Sequence, residues 1–143
     1  MNKAISAEEL GLNMQSGGEE ALFGWFLASY LFGKRINQTT ARRTWHLLFK
    51  TYGRTTPSKL CDYSWHELVR VLREGRYTRY DESTAERLLQ ICTQVQAEYG
   101  GRISGIWEQS QSRADFERRL LAFKGVGPKT LEIFMREAVP LLY

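Results

Sequence analysis

"AFKGVGPKTLEIF", residues 122–134, sets two glycines around one valine, then a proline, then a lysine at the head of a helix-like run. Two helices must meet in a tight turn here. Gly125 and Gly127 admit backbone angles closed to other residues, and neither carries a side chain to hold a partner away. Val126 between them can point into the helix–helix contact. Pro128 sits where the first turn of a helix tolerates it. Leu131, Phe134, Met135 and Ala138 then recur at helical spacing, and Pro140 reads as the end of that helix. A helix start leaves several backbone N–H groups without partners, which makes an anion site that a phosphate fits. Lys129 adds a positive charge at the same place. The alternative for these residues is a tight turn between two helices with no ligand.

The same helical period extends upstream. Ala21 to Phe32 is apolar nearly all round, as a central helix would be. Thr39 or Thr40 is a candidate cap for the next helix, in which Trp45, Leu48, Phe49 and Tyr52 share a face and Gly53 is the stop. Thr56–Pro57 opens a short helical turn. Ser64 with Glu67 has the spacing of a capping box, and Leu68, Val69 and Leu72 follow as a buried stripe up to Gly75. Asp81 or Ser83 can cap a long helix whose inner face holds Ala85, Leu88, Leu89, Cys92, Val95 and Tyr99. Ser112 with Asp115 starts another. No alternating strand pattern of useful length is present. The expected fold is all-α: a compact bundle of six to seven helices spanning 19–143, preceded by an N-terminal tail over 1–18.

Composition bounds the function. The chain has 143 residues, 43% hydrophobic and 25% charged, which excludes a disordered chain. Its net charge is +4, from 20 basic and 16 acidic residues. That charge is unevenly spread. From Ala21 to Cys61 there is no acidic residue, while Lys34, Arg35, Arg42, Arg43, Lys50, Arg54 and Lys59 all fall there. An unopposed basic segment points to a polyanion, or to a surface balanced by acids folded nearby. The apolar run from Ala21 to Phe32 is too short to span a bilayer, so no membrane partner is expected. Residues 1–15 show no apolar core of a signal peptide, and the expected location is cytoplasmic. Cys61 and Cys92 are far apart and in no metal spacing. They suit packing roles in a reducing compartment. His46 and His66 stand alone, so no metal site is expected from them. Trp45, Trp65 and Trp107 suit either base stacking or core packing.

"LLAFKGVGPKTLEIFMREA" (120–138) resembles the helix-hairpin-helix of the DNA glycosylase superfamily that includes endonuclease III. "GRYTRYDESTAERLLQICTQVQAEYGG" (75–101) resembles the helix that precedes the hairpin in that family, and "FLASYLFGKRINQTTARRTWHLLFKTYG" (26–53) its opening helix and basic loop. The likeness implies a protein that binds double-stranded DNA, bends it and flips a damaged base into a pocket. It puts Gly125, Val126, Gly127, Lys129 and Thr130 on backbone phosphates, and Lys34, Arg35, Arg42 and Arg43 on the basic surface beside them. It implies a monovalent cation, Na+ or K+, on the carbonyls of Leu121, Phe123 and Val126. Lys129 falls where bifunctional members keep a Schiff-base lysine, which must be partly neutral to react.

The departures from that family matter as much. Its catalytic aspartate would fall beyond Tyr143. The cysteines of its iron–sulfur members are missing, so no such cluster is expected. The glutamine-bearing loop is replaced by "GKRINQTT" (33–40), with Gln38 displaced and Arg35 free to act as the wedge. Arg76, Tyr77, Arg79 and Tyr80 alternate cation with aromatic, and with Asp81 they could line a nucleotide pocket or pack over the core. Asp81 is otherwise a helix cap. The resulting expectation is a DNA-binding protein resembling base-excision-repair DNA glycosylases and abasic-site lyases, with Lys129 as the candidate catalytic residue. The alternative is a non-catalytic DNA-binding or protein-interaction helical module.

Overall fold

The computed structural model describes residues 4–143. Among them lie eight α-helices and no strand: α1 (Gly18–Phe32), α2 (Gln38–His46), α3 (Pro57–Cys61), α4 (Trp65–Glu74), α5 (Asp81–Tyr99), α6 (Ile103–Gln109), α7 (Arg113–Leu121) and α8 (Pro128–Leu142). A 3₁₀ turn at Glu8–Leu10 and a π turn at Leu47–Thr51 complete the order. The all-α bundle expected from the spacing is the one observed, with one helix more.

Helix α1 is the axle of the bundle. Every residue from Ala21 to Leu31 is buried, which its all-round apolar character requires. It packs on α8, α2 and α6, while α5 packs on α3, α4 and α6. Two tryptophans tie α1 to its neighbours. Trp25 donates through Nε1 to the Phe134 carbonyl at 3.1 Å, and Trp45 donates to the Gly24 carbonyl at 2.8 Å. Gly24 admits this approach because a Cβ there would meet the Phe49 ring at 2.8 Å. Phe49 in turn stacks on Trp45 at 5.0 Å between centroids.

Several element ends differ from the expectations. Helix α2 is capped by Asn37, whose side chain accepts from the Thr40 N–H at 2.8 Å, not by Thr39 or Thr40. Pro140 does not end α8, which runs on to Leu142. A proline so near a C-terminus forfeits a single intrahelical bond, and Tyr143 N–H still reaches the Val139 carbonyl at 2.9 Å. Asp81 is the first residue of α5 rather than its cap; the cap position is Tyr80, in a left-handed conformation with φ 66°. The eighth helix is α6, where Gly105 and two β-branched isoleucines weaken the local helix signal. Its burial of Ile103 and Ile106 supplies what propensity does not.

The segment expected as a tail is built into the core. Ile5, Ala7, Leu10 and Leu12 are buried, and Ala7 N–H donates to Glu137 on α8 at 3.2 Å. The predicted capping box of α4 forms in full between Ser64 and Glu67. No helix among the described residues is long and apolar enough to cross a membrane.

Candidate nucleic-acid interface

The bend between α7 and α8 is set by two caps and a turn. Ser112 caps α7 by accepting from Asp115 N–H at 3.1 Å. Asp115 itself accepts from Gln111 N–H and pairs with Arg118 and Arg119, which together hold its carboxyl down at about 2. After α7, Phe123 and Val126 turn inward and are buried. The Val126 N–H returns to the Phe123 carbonyl at 3.0 Å, and Gly125 takes φ 98°. That is the third position of a type II turn, where a positive φ favours glycine.

The two glycines serve different ends. A Cβ on Gly125 would meet the Tyr30 hydroxyl at 2.9 Å and the Arg87 stem at 3.4 Å, so its bareness is an internal packing requirement. Gly127 has φ −107° and ψ −177°, an extended conformation open to any residue, and nothing lies within 4 Å of a Cβ built there. The space beside Gly127 is therefore open to solvent or to a ligand. Gly127 also caps α8 without a side-chain acceptor. Among the described residues, the N–H groups of Gly127, Lys129 and Thr130 have no acceptor. Lys129 is 60% exposed and lies 3.8 Å from Glu132 on its own helix. Thr130 is buried, and its hydroxyl would sit 2.3 Å from a Cβ on Gly33. This close approach brings the α1–α2 loop against the bend.

That loop delivers Lys34. Its Nζ donates to the Gly125 carbonyl at 2.6 Å and lies 4.3 Å from the Tyr30 ring centroid. Burial, and then the charge of Arg87, lower its pKa below the ordinary lysine value. Of the carbonyls expected to hold a monovalent cation, that of Phe123 already accepts from Val126 N–H. The positive group seen in the bend is the Lys34 ammonium on Gly125.

The four basic residues expected as one patch divide. Lys34 lies on the bend. Arg43 donates to the Gly75 carbonyl at 3.2 Å, next in sequence to Arg76. Arg35 is exposed. Arg42 turns from the others and pairs with Glu9 at 3.3 Å, so part of the basic surface is balanced by the N-terminal segment.

The "RYTRY" residues also separate. Arg76 and Tyr80 both adopt positive φ, 63° and 66°, where non-glycine residues are uncommon. Tyr77 between them is buried, with its hydroxyl 3.3 Å from Thr84. Asp81 is bound to Arg73 at 2.6 Å and to Glu82 N–H at 2.8 Å, which hold its carboxyl below the usual range. Arg76, Thr78, Arg79 and Tyr80 are exposed, with Arg79 stacked 5.0 Å over the Tyr80 ring. Of the tryptophans, Trp45 is core, Trp65 donates to the Glu82 carbonyl, and Trp107 is 37% exposed.

Two residues of this region escaped the sequence reading. Tyr30 lies in the heart of α1, yet its hydroxyl approaches the bend, and burial first, then Tyr77, raises its pKa. Arg87 is on the second turn of α5 and packs its stem against Gly125. An arginine amid the apolar spacing of α5 was the available signal for the second. Nothing in an all-apolar helix distinguishes one tyrosine. Contacts thus join Tyr30, Lys34 and Arg87 at the bend, and Arg43 separately to Gly75. No group of three or more His, Cys, Asp or Glu side chains that could hold a metal occurs among the described residues. Comparison with known proteins finds no matching family model, no matching curated protein and no matching solved structure.

Proposed function

We propose that the chain is a double-stranded-DNA-binding module that holds backbone phosphates in the α7–α8 bend, in the manner of the helix-hairpin-helix glycosylases its sequence resembles. The observation that carries this reading is the set of amides at Gly127, Lys129 and Thr130, without acceptors, at a glycine whose Cβ side faces open space. A phosphate there meets N–H donors, the positive end of α8 and the Lys129 ammonium together. Lys34 and Arg87 add positive charge at the bend itself. Such a protein works where DNA is, inside the cell.

Within this reading Lys129 contacts phosphate rather than acting as a nucleophile. Its side chain is 60% exposed and lies 3.8 Å from Glu132, without the desolvated pocket that a nucleophilic lysine uses. Asp81 cannot act as a free carboxylate while Arg73 holds it. The reading favoured is therefore grip without base excision, and Lys129-dependent cleavage at abasic sites is the enzymatic alternative.

The test is anisotropy of a labelled undamaged duplex across a salt series. Phosphate contacts predict micromolar-range binding, Kd about 10⁻⁴ to 10⁻⁶ M, that weakens steeply as salt rises. Lys129→Ala should reduce the salt slope by about 1. Binding indifferent to salt, or no binding, would leave the bend as a plain helix connection.

A further inference from the structure

The fold brings the two cysteines together across helices that the sequence holds far apart. Cys61 is the last residue of α3, and Cys92 lies in the middle of α5, against which α3 packs. The Cys61 Sγ lies 3.8 Å from the Leu89 carbonyl oxygen and 3.6 Å from the Thr93 hydroxyl. Leu89 and Thr93 bracket Cys92 on α5, so the Cys61 sulfur rests on the stretch of α5 that carries Cys92. Their exposures differ. Cys61 is half-buried at the surface, whereas Cys92 is 2% exposed. Neither takes part in the nucleic-acid interface.

We propose that Cys61 is a peroxide-oxidisable site and Cys92 its resolving thiol, the two closing a reversible disulfide between α3 and α5. In the first step the Cys61 thiolate attacks a hydroperoxide. An S–O bond forms, the O–O bond breaks, and the departing hydroxide takes a proton to become water. In the second step the Cys92 sulfur attacks the Cys61 sulfenic acid. The S–S bond forms, the S–O bond breaks, and the leaving hydroxide departs as water with the Cys92 proton. Two thiols are oxidised by two electrons, and hydrogen peroxide is reduced to two waters.

The surroundings fit this division of labour. Hydrogen bonding with Cys92 first, and with Thr93, pulls the Cys61 thiol down to about 6, against burial and the Asp62 charge. Thiolate is then available near neutral pH at the more accessible sulfur. Cys92 is pushed up by the same contact and by burial, so it stays protonated and shielded until its partner is oxidised. A disulfide needs the sulfurs at about 2 Å, closer than hydrogen-bonded thiols. Helix α3 is only five residues long and carries Cys61 at its last position, so bond formation asks movement of one short element.

The experiment treats the full chain with hydrogen peroxide and reads intact mass, thiol titre in denaturant and a non-reducing peptide map. Wild type should lose both thiols together, lose the mass of two hydrogens, join the Cys61 and Cys92 peptides within one chain, and recover both thiols with reductant. Cys92→Ser should instead gain one oxygen at Cys61, captured by dimedone. Cys61→Ser should leave Cys92 unreacted at the same dose. Retention of both thiols in wild type overturns the proposal. So does an oxyacid at Cys61 with Cys92 still free, or a disulfide joining two chains.

Discussion

The ammonium of Lys34 sits 2.6 Å from the carbonyl oxygen of Gly125, so the α1–α2 loop is latched to the bend between α7 and α8. Both partners also touch Tyr30, whose ring lies under the ammonium and whose hydroxyl faces Gly125. This small cluster holds two titratable groups shifted in opposite directions.

Those shifts predict opposing alkaline behaviour. The Lys34 pKa is lowered on folding by burial and by Arg87, so in the window just below the ordinary lysine value the unfolded chain binds more protons. Its contribution to stability therefore rises with pH across that window. The Tyr30 pKa is raised, chiefly by burial, so above pH of about 10 the folded state keeps a proton that the unfolded chain has lost. Its contribution is full below that pH and declines above it. Lys34→Met should remove the rise and Tyr30→Phe the decline. Urea titrations from neutral to alkaline pH measure both, and identical pH profiles for the three proteins would contradict the cluster.

The two glycines of the bend should separate folding from binding. Gly125→Ala places a Cβ at φ 98°, 2.9 Å from the Tyr30 hydroxyl, and should cost about 2 kcal/mol of stability. Gly127→Ala sits in open space at an ordinary backbone angle and should stay within about 1 kcal/mol of wild type. On the proposed phosphate grip it should nevertheless weaken duplex binding, because its methyl group enters the open space assigned to the phosphate. Thermal melts and anisotropy on the same samples decide this. Equal losses in both variants would mean that Gly127, too, is only structural.

How far the sequence anticipates all this depends on the range of each interaction. The caps at Ser64 and Ser112, most of the buried faces of α5 and α8, and the positive φ of Gly125 are local and lie where the spacing places them, while Leu89 and Leu131 are only half-buried and Gly127 is ordinary extended backbone. Asn37 and α6 were missed because the local signals there compete or are weak. The Arg42–Glu9 and Lys34–Gly125 contacts join residues far apart in sequence. No periodicity reports them, so the basic stretch reads as one patch until the fold divides it. The approach of Cys61 to the stretch of α5 around Cys92 is hidden for the same reason.

Asp81 should act as a structural anion at the start of α5. Its carboxylate bonds Arg73 and the Glu82 N–H, and its position favours negative charge at a helix N-terminus. Arg73 is more than half exposed, so solvent screening limits the pair, and Asp81→Asn should cost roughly 1 kcal/mol. With its pKa depressed on folding, Asp81 stabilises the fold above the ordinary carboxylate range. That contribution is lost as pH falls through the folded-state pKa. The acid arm of the stability profile should flatten in Asp81→Asn, while duplex binding at neutral pH stays unchanged. A loss of binding without loss of stability would instead return Asp81 to the ligand site.

Lys129 decides between grip and chemistry. A Schiff-base lysine needs a neutral amine, and the usual means are desolvation or a cationic neighbour. The Lys129 side chain is 60% exposed and its Nζ lies 3.8 Å from a Glu132 carboxylate oxygen, so it is neither desolvated nor set against a cation in that contact. The lysine that burial and Arg87 do perturb is Lys34, and its Nζ is engaged by the Gly125 carbonyl. Borohydride trapping on a duplex with one abasic site should therefore give no adduct from wild type beyond that of Lys129→Ala. Duplex affinity should still fall in Lys129→Ala as one phosphate contact is lost. A covalent adduct that disappears with Lys129→Ala would show that bound DNA supplies the desolvation the free protein lacks, and would make this an abasic-site lyase.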